Sequence, residues 1–208
     1  MELDKYSASR PYLYHLTHRD NMSHIRELGR LFPAAILLQG SGNNDLMRTP
    51  RRGPKPLTFR GREIKLRDQD KLHRGPTGLQ RGFSFADLVA AINGRVFFWP
   101  GTVAGPVPSG IRHFERYEGE RPVILRVGFT SLVTLNPSVN PLFCRYNSGS
   151  PRCSNARKSP RGPDTFLSAR AFTGTPSAVV EVTFGAEISL PPDTEYGPRP
   201  EGPWNRLF

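Results

Sequence analysis

The residues best placed to do chemistry lie in the stretch Tyr12–His18, whose pattern is typical of a short strand that runs directly into a helix. Because side chains alternate across a strand, Leu13, His15 and Thr17 share one face. An imidazole and a hydroxyl beside a strand-to-helix turn can converge with backbone amides on a bound ligand. The alternative is a histidine whose hydrogen bonds are satisfied in the core or at the surface, as for most isolated histidines.

The helix that follows this strand has recognisable ends. Asp20 or Asn21 can cap its first turn, and apolar residues recur at helical spacing from Met22 onward. Gly29 suits the left-handed position that follows a helix. The turn into this helix therefore borders the strand face that carries His15.

A second candidate for chemistry is Glu181, a carboxylate in the middle of the apolar strand predicted at 178–184. Glu181 faces the same way as Val179 and Thr183, opposite to the purely apolar side of that strand. Burying an unpaired carboxylate costs free energy, so we expect Glu181 to border a cleft. The alternative is that Glu181 lies on the solvent face of an edge strand.

The order of residues in the first strand and helix resembles the ADP-ribosyltransferase superfamily, in which a His-x-Ser/Thr on the first strand grips NAD. The chain is most similar to the DarT branch, which acts on nucleic acids, and closer still to an uncharacterised bacterial domain family related to that branch. The opening motif is carried by Tyr14, His15, Thr17, His18, Asn21, Ile25 and Gly29. The likeness to the related family is carried by Leu-Arg-Asp-Gln at 66–69, Arg-Val-Phe-Phe-Trp at 95–99 and Arg-Gly-Pro-Asp-Thr-Phe at 161–166.

This resemblance implies how NAD, as co-substrate, would be held. His15 would bind the adenosine ribose, and the backbone of Leu16 would bind the nicotinamide amide. Thr17 would support the nicotinamide ribose. His18 and Asn21 would close the pocket from the side of the helix.

The resemblance also implies the catalytic residues. Glu181 takes the position of the superfamily's catalytic glutamate, which stabilises positive charge at the anomeric carbon and deprotonates the acceptor. The DarT pattern has an arginine soon after the second strand, but residues 100–104 contain none. We expect Arg95, grouped here with the catalytic residues, to anchor the NAD diphosphate in its place, with Arg67 as the second choice.

The length of 208 residues predicts one domain with its own core. Twenty Gly and 21 Pro indicate long ordered loops between short elements. The fold class is α+β, and the resemblance implies an ADP-ribosyltransferase-like domain with a split, mainly antiparallel β-sheet core and flanking short helices. We place this domain at 1–190 and a Pro-rich extended tail at 191–208.

Local patterns predict the principal elements. A helix is predicted from Ser84 to Gly94, because Ser84 and Asp87 form a short version of the capping box. Another is predicted at 111–117, and the apolar run at 31–38 is either a short helix or a buried loop. Strands are predicted at 63–66, 95–99 (ended by a proline), 123–127, 132–135 and 178–184.

The chain is strongly basic, with 29 Lys and Arg against 18 Asp and Glu and a net charge of +11. Such a surface attracts polyanions, so nucleic acid is the expected partner, although a generally solvated basic surface is the alternative. We predict an exposed basic loop at 39–62 and a substrate-reading loop at 136–177. The nucleic-acid contacts expected in the second loop are Tyr146, Arg157, Lys158 and Arg161.

The sequence shows no apolar run long enough for a membrane helix and no apolar signal region, so we expect a cytoplasmic protein without a membrane partner. Cys144 and Cys153 are close enough in sequence to form a disulfide, but a cytosolic setting favours free thiols. No spacing of His and Cys residues indicates a metal site.

The function expected from these features is a NAD-dependent ADP-ribosyltransferase, a glycosyltransferase that modifies DNA or RNA. Such activity is toxic, which suggests a bacterial toxin or an anti-phage defence protein with an antitoxin or immunity partner. One alternative is the same enzyme acting on a protein. Another is a non-catalytic nucleic-acid-binding module on the same fold, and a minor one is an RNA phosphotransferase.

Overall fold

The fold is assembled from short helices and short strands. The computed structural model describes residues 1–72, 78–150 and 160–208. Within them the helices are α1 (Leu3–Ser9), α2 (Met22–Leu28), α3 (Ala34–Gly40), α4 (Phe85–Asn93), α5 (Pro108–Arg116) and α6 (Phe129–Leu135). The strands are β1 (Tyr12–His18), β2 (Arg30–Leu31), β3 (Lys55–Phe59), β4 (Arg62–Leu66), β5 (Val96–Thr102), β6 (Gly105–Pro106), β7 (Pro122–Gly128), β8 (Pro141–Cys144), β9 (Leu167–Ser168), β10 (Glu181–Phe184), β11 (Ile188–Ser189), β12 (Glu195–Gly197) and β13 (Asn205–Arg206).

Nine of these strands form the main sheet. Their order is β13-β12-β7-β1-β5-β10-β8-β9, with β6 paired to β5. β2 pairs with β11, and β3 pairs with β4, in two separate two-stranded ribbons. Every pairing between these strands is antiparallel, which confirms the predicted α+β fold class.

The main sheet is split next to β1. β1 pairs with β7 along its whole length, as far as His18. It pairs with β5 only up to Tyr14, which lies opposite Trp99. Beyond that pair β5 continues beside β10, with Phe98 opposite Val182. The strands β1 and β5 therefore separate, and a cleft opens between them.

The two faces of the central strands enter different cores. Leu13 joins the larger core together with Phe98. Tyr14 and Leu16 point the other way and pack with Trp99 against the apolar side chains of α5. This alternation is the one that the sequence of the first strand predicts, and it leaves the face of Leu13 to carry His15 at the cleft.

Local chemistry sets the ends of two predicted helices. The Ser84 hydroxyl accepts from the Asp87 N–H, and the Asp87 carboxylate accepts from the Ser84 N–H, which completes the capping box of α4. α2 ends at Gly29, whose φ of 60° is left-handed. Both predictions are confirmed.

The strand predicted at 132–135 is wrong, because these residues belong to α6. Phe129 and Leu132 are buried, and Val133 packs against the same core. This is the spacing of one helical face. The β-branched composition of the segment indicates a strand, but its packing against the core decides for a helix.

β5 continues through Pro100, although the sequence predicts that Pro100 ends it. The Pro100 carbonyl accepts from the N–H of Val107. In an antiparallel strand the N–H and the carbonyl of one residue point to the same side. The missing N–H of Pro100 therefore faces the short hairpin with β6, where no bond to β10 is lost.

Parts of the predicted loops and tail are regular. In the basic loop at 39–62, α3 runs to Gly40 and β3 begins at Lys55. The connection at 136–177 contains β8 and β9, and β8 is a direct neighbour of β10. The tail predicted at 191–208 adds β12 and β13 to the main sheet, so this segment extends the domain predicted at 1–190.

Candidate functional site

His15 fills the split in the sheet. Its Nδ1 lies 2.9 Å from the carbonyl oxygen of Phe97, a strand residue beyond the last pair of β1 with β5. A carbonyl only accepts, so Nδ1 carries the proton and Nε2 presents a lone pair. Burial lowers the pKa of His15 to about 4, which keeps the ring neutral at pH 7. His15 is thus a fixed acceptor in the cleft.

Two cavities, each of about 220 Å³, lie on either side of this split. Each is somewhat smaller than the range of about 300–1,000 Å³ typical of small-molecule sites. Both are lined by the same five residues, which form the wall between them: His15, Leu16, Arg51, Arg67 and Phe97. We call the cavity that contains Glu181 the first cavity and the other the second cavity.

Glu181 lines the first cavity and is 3% exposed. Its strand β10 lies between β5 and β8, so the alternative of a solvent face on an edge strand is wrong. Its Oε2 accepts from the backbone N–H of Ser148 at 3.1 Å. Burial raises the pKa of Glu181 to about 7, although Ser148 and Arg161 oppose that rise. Such a carboxyl exchanges protons near neutral pH, as a general base requires.

Aromatic rings form the wall of the first cavity under α5. The His113 ring lies 5.2 Å from the ring of Trp99 and 5.1 Å from that of Tyr117, centroid to centroid. Burial lowers the pKa of His113 to about 3, and the Arg67 charge lowers it further. These rings are uncharged and inclined to one another, so an apolar or aromatic part of a ligand can pack against them.

The second cavity joins a polar end to an apolar one. Asn21 donates to the hydroxyl of Thr17 at 3.1 Å and makes two hydrogen bonds with the main chain of Lys65. His18 accepts from the N–H of Asp20 through Nδ1. The apolar end is formed by Ile25, Leu31, Phe32, Leu37 and Ile64. This cavity suits a ligand that is partly apolar and partly hydroxylated.

The structure separates two residues that the sequence assigns to one ribose. Glu181 lines the first cavity, whereas Thr17 lines the second. Leu16, with the backbone predicted to bind an amide, lines both. Thr17 is therefore not among the residues that line the cavity of Glu181, and its role at the nicotinamide ribose stays a prediction.

Arg67 occupies the wall between the cavities. Its Nη2 donates to the Thr17 carbonyl at 3.2 Å, its Nη1 lies 3.4 Å from the Glu120 carboxylate, and its guanidinium lies 4.3 Å from the centre of the Tyr117 ring. Burial lowers the pKa of Arg67, although nearby Glu120 raises it. Its Nε is buried and has no hydrogen-bond partner among the described residues. Arg67 thus places a cation in the wall that the two cavities share.

Arg95 lines the second cavity but not the first. Its guanidinium lies 4.2 Å from the ring centre of Phe166, and its Nη1 donates to the Ala91 carbonyl. The two cavities therefore favour Arg67, the second choice from the sequence, over Arg95.

The residues predicted to contact nucleic acid in the loop at 136–177 lie in different surroundings. Arg161 is 1% exposed, and its guanidinium lies 4.1 Å from the ring centre of Tyr146. Arg161 therefore faces inward, and the prediction that it reads the substrate is wrong for this conformation. Tyr146 lines neither cavity. Arg157 and Lys158 lie outside the described residues.

Cys144 is a buried free thiol that donates to the Tyr146 carbonyl at 3.0 Å, while Cys153 lies outside the described residues. Among the described residues, no group of three or more His, Cys, Asp or Glu side chains can hold a metal ion. None of the described helices has the length and apolar content that a membrane crossing requires.

Residues 11–191 match a protein family described as a family of unknown function, DUF7002. The chain belongs to this family. No curated protein and no solved structure matches the sequence. The description of the family states no activity, so the chemistry of the site has to come from its own residues.

Sequence reasoning missed Arg51 and His113. Arg51 falls in the loop predicted to be exposed, but it is 7% exposed and donates to the Arg67 carbonyl and to Asn93. Nothing in the local sequence separates it from its neighbouring arginines. For His113 a signal existed, because it shares a helical face with Arg116 and Tyr117, which also line the first cavity.

Proposed function

We propose that the protein is a NAD-dependent ADP-ribosyltransferase that modifies nucleic acid. The observation that supports this most is the pair of adjacent cavities with a shared wall of His15 and Arg67, next to the buried carboxyl of Glu181. NAD has a matching form, because it consists of two nucleosides joined by a diphosphate. The resemblance of the first strand and of Glu181 to this superfamily points the same way.

In the proposed complex the adenosine half lies in the second cavity. Its base packs on the apolar end, and a ribose hydroxyl donates to the free Nε2 of His15. Arg67 binds the diphosphate through its cationic side chain at the shared wall. The nicotinamide half then enters the first cavity, with its ribose beside Glu181.

The reaction requires the bond between the ribose carbon and nicotinamide to break. The electron pair of that bond leaves with nicotinamide, and positive charge grows on the ribose. A carboxylate at Glu181, which is itself shielded from solvent, stabilises this charge. The acceptor then bonds to the same carbon, and its proton passes to Glu181, whose pKa of about 7 suits a general base.

Charge supports nucleic acid as the acceptor. The chain carries a net charge of +11, and the exposed Lys71 and Arg116 line the first cavity, which holds Glu181. A polyanion is drawn to such a rim, more strongly at low salt. Modification of nucleic acid is toxic to a cell, so the proposal includes a role as a toxin or in defence against phage, in the cytoplasm, with an antitoxin or immunity partner.

The test is release of nicotinamide from NAD by the purified protein, with and without DNA or RNA. Glu181→Gln should abolish the release, because an amide keeps the acceptor for the Ser148 N–H but carries no charge. Glu63→Gln, on the exposed side of β4, is the matched control and should be as active as the native protein. An active Glu181→Gln contradicts the assignment.

Transfer of radiolabel from NAD identifies the class of acceptor. Radiolabel in nuclease-sensitive material supports nucleic acid, whereas label in protein supports the alternative of a protein target. No release under any condition, no thermal shift with NAD and salt-dependent binding of DNA or RNA would instead indicate a non-catalytic binding module.

A further inference from the structure

Arg161 is a buried arginine that interacts electrostatically with Glu181 and is not among the residues that line the first cavity. The Nη2 of Arg161 donates to the Asn147 carbonyl at 3.0 Å and also to the Ser150 carbonyl. Its Nε lies 3.5 Å from the carbonyl oxygen of Ser148. A guanidinium buried to this degree must satisfy its donors, and here main-chain carbonyls of the segment 147–150 do so.

One peptide group connects this arginine to the carboxyl of Glu181. The carbonyl of Asn147 and the N–H of Ser148 belong to the same planar unit. Arg161 binds the oxygen of that unit, and Glu181 accepts from its N–H at 3.1 Å. Because the unit is planar and trans, the direction of its oxygen determines the direction of its N–H.

Arg161 is itself held by the neighbouring chain. Its N–H donates to the Gly78 carbonyl at 2.8 Å, and its carbonyl accepts from the N–H of Gln80 at 2.9 Å. A Cβ at the next residue, Gly162, would lie 2.1 Å from the Gln80 Oε1, so only glycine fits there without a shift. The main chain at Arg161 is therefore placed independently of the segment that its side chain binds.

We propose that Arg161 is a positioning residue, which orients the peptide group between Asn147 and Ser148 and so fixes the carboxyl of Glu181 in the first cavity. The consequence for catalysis rests on the proposed function, but the positioning itself does not. The same contacts favour the charged carboxylate, because an N–H donor and a nearby cation both stabilise it.

Several other ionisable groups surround Glu181 and belong in any account of its titration. Cys144 lies opposite it on β8, and burial raises the pKa of that thiol well above neutral pH. Burial also raises the pKa of Tyr146. The groups that line the first cavity with it include His15, Arg67, Asp68, Lys71, His113 and Arg116.

The test follows the ionisation of Glu181 by carbon-13 NMR of the glutamate carboxyl groups, with Glu181→Gln used to assign its resonance. In Arg161→Gln the pKa of Glu181 should rise by about one pH unit, because the anchored N–H and the cation are both lost. Arg161→Lys keeps a cation but not the planar fork, so a smaller rise is expected. Hydrogen exchange at the Ser148 amide should become faster in both variants.

Arg145→Gln is the matched control. Arg145 lies two residues before the segment 147–150, but it is exposed and its guanidinium lies 4.8 Å from the ring centre of Phe172. This variant should leave the titration of Glu181 and the exchange of Ser148 unchanged. A folded Arg161 variant that behaves like this control overturns the proposal.

Two further outcomes are defined. If neither Arg161 variant folds, Tyr146→Leu tests whether the position of the Arg161 side chain affects Glu181, because it removes the ring on which the guanidinium lies. An unchanged titration of Glu181 in that variant overturns the proposal equally. Because the NMR titration uses no NAD, failure of the transferase proposal would appear as no nicotinamide release while the Glu181 titration still responds to Arg161.

Discussion

Replacing Glu181 with glutamine should change how the stability of the protein depends on pH. Burial raises the pKa of Glu181 from 4.5 to about 7 in the folded protein. Between these values the folded protein holds a proton that the unfolded chain has released. The free energy of unfolding therefore falls as pH rises through this window, and this contribution is complete only below about pH 4.5. Glutamine does not titrate, so the variant lacks this dependence.

The size of the effect follows from the same pKa values. One pKa unit corresponds to about 1.4 kcal/mol, so the change from 4.5 to about 7 corresponds to about 3 kcal/mol between acidic and mildly alkaline pH. The unfolding entropy of a chain of 208 residues converts this to a shift in melting temperature of roughly 7 °C. The melting temperature of the variant, relative to that of the native protein, should thus rise by about this amount as pH rises from about 4.5 to about 8.

Thermal unfolding followed by circular dichroism at several pH values measures this difference. His15 and His113, whose pKa values burial lowers, make stability rise with pH below about 6.5, but they are present in both proteins and cancel. The exposed variant Glu63→Gln should follow the native protein throughout. A constant difference in melting temperature between Glu181→Gln and the native protein would refute the reasoning that burial controls this carboxyl.

Two further predictions concern a helix cap and the NAD anchor. Ser84→Ala should lower the free energy of unfolding by about 1 kcal/mol in a urea titration, because it removes the hydroxyl that accepts from the Asp87 N–H. An unchanged urea midpoint would contradict this. Arg67→Met should abolish the rise in melting temperature that NAD produces, whereas Arg95→Met should retain most of it, since Arg67 lines both cavities. If Arg95→Met instead abolished the NAD-induced rise and Arg67→Met retained it, Arg95 would be the residue that binds the diphosphate.

Elements with strong local signals were predictable from the sequence. The capping box at Ser84 and the left-handed Gly29 depend on residues within a few positions of each other. Elements whose stability comes from distant partners were not. The segment at 132–135 has a strand-like composition, yet its contacts with the large core make it part of a helix. β8 has no alternating pattern, and it is a strand because it pairs with β10, far along the chain.

For the site, residue types and strand alternation predict which faces carry reactive groups. Alternation along a strand set His15 apart from Tyr14, and the cost of burying a carboxylate predicted a cleft at Glu181. The groups that those faces contact depend on strand order and packing, which local sequence does not specify. The split between β1 and β5 decides that His15 lies in the wall between two cavities, with Arg67 rather than Arg95 beside it.

The tertiary structure also decided the protonation and the orientation of the charged groups. An arginine can lie at the surface, or it can be buried where main-chain carbonyls accept from its guanidinium. Arg161 is buried in this way. The pKa of Glu181 likewise depends on desolvation and on one N–H from a separate loop. Residue type and spacing specify the chemical groups, whereas burial and neighbours, which come from strand order, specify their charge and direction.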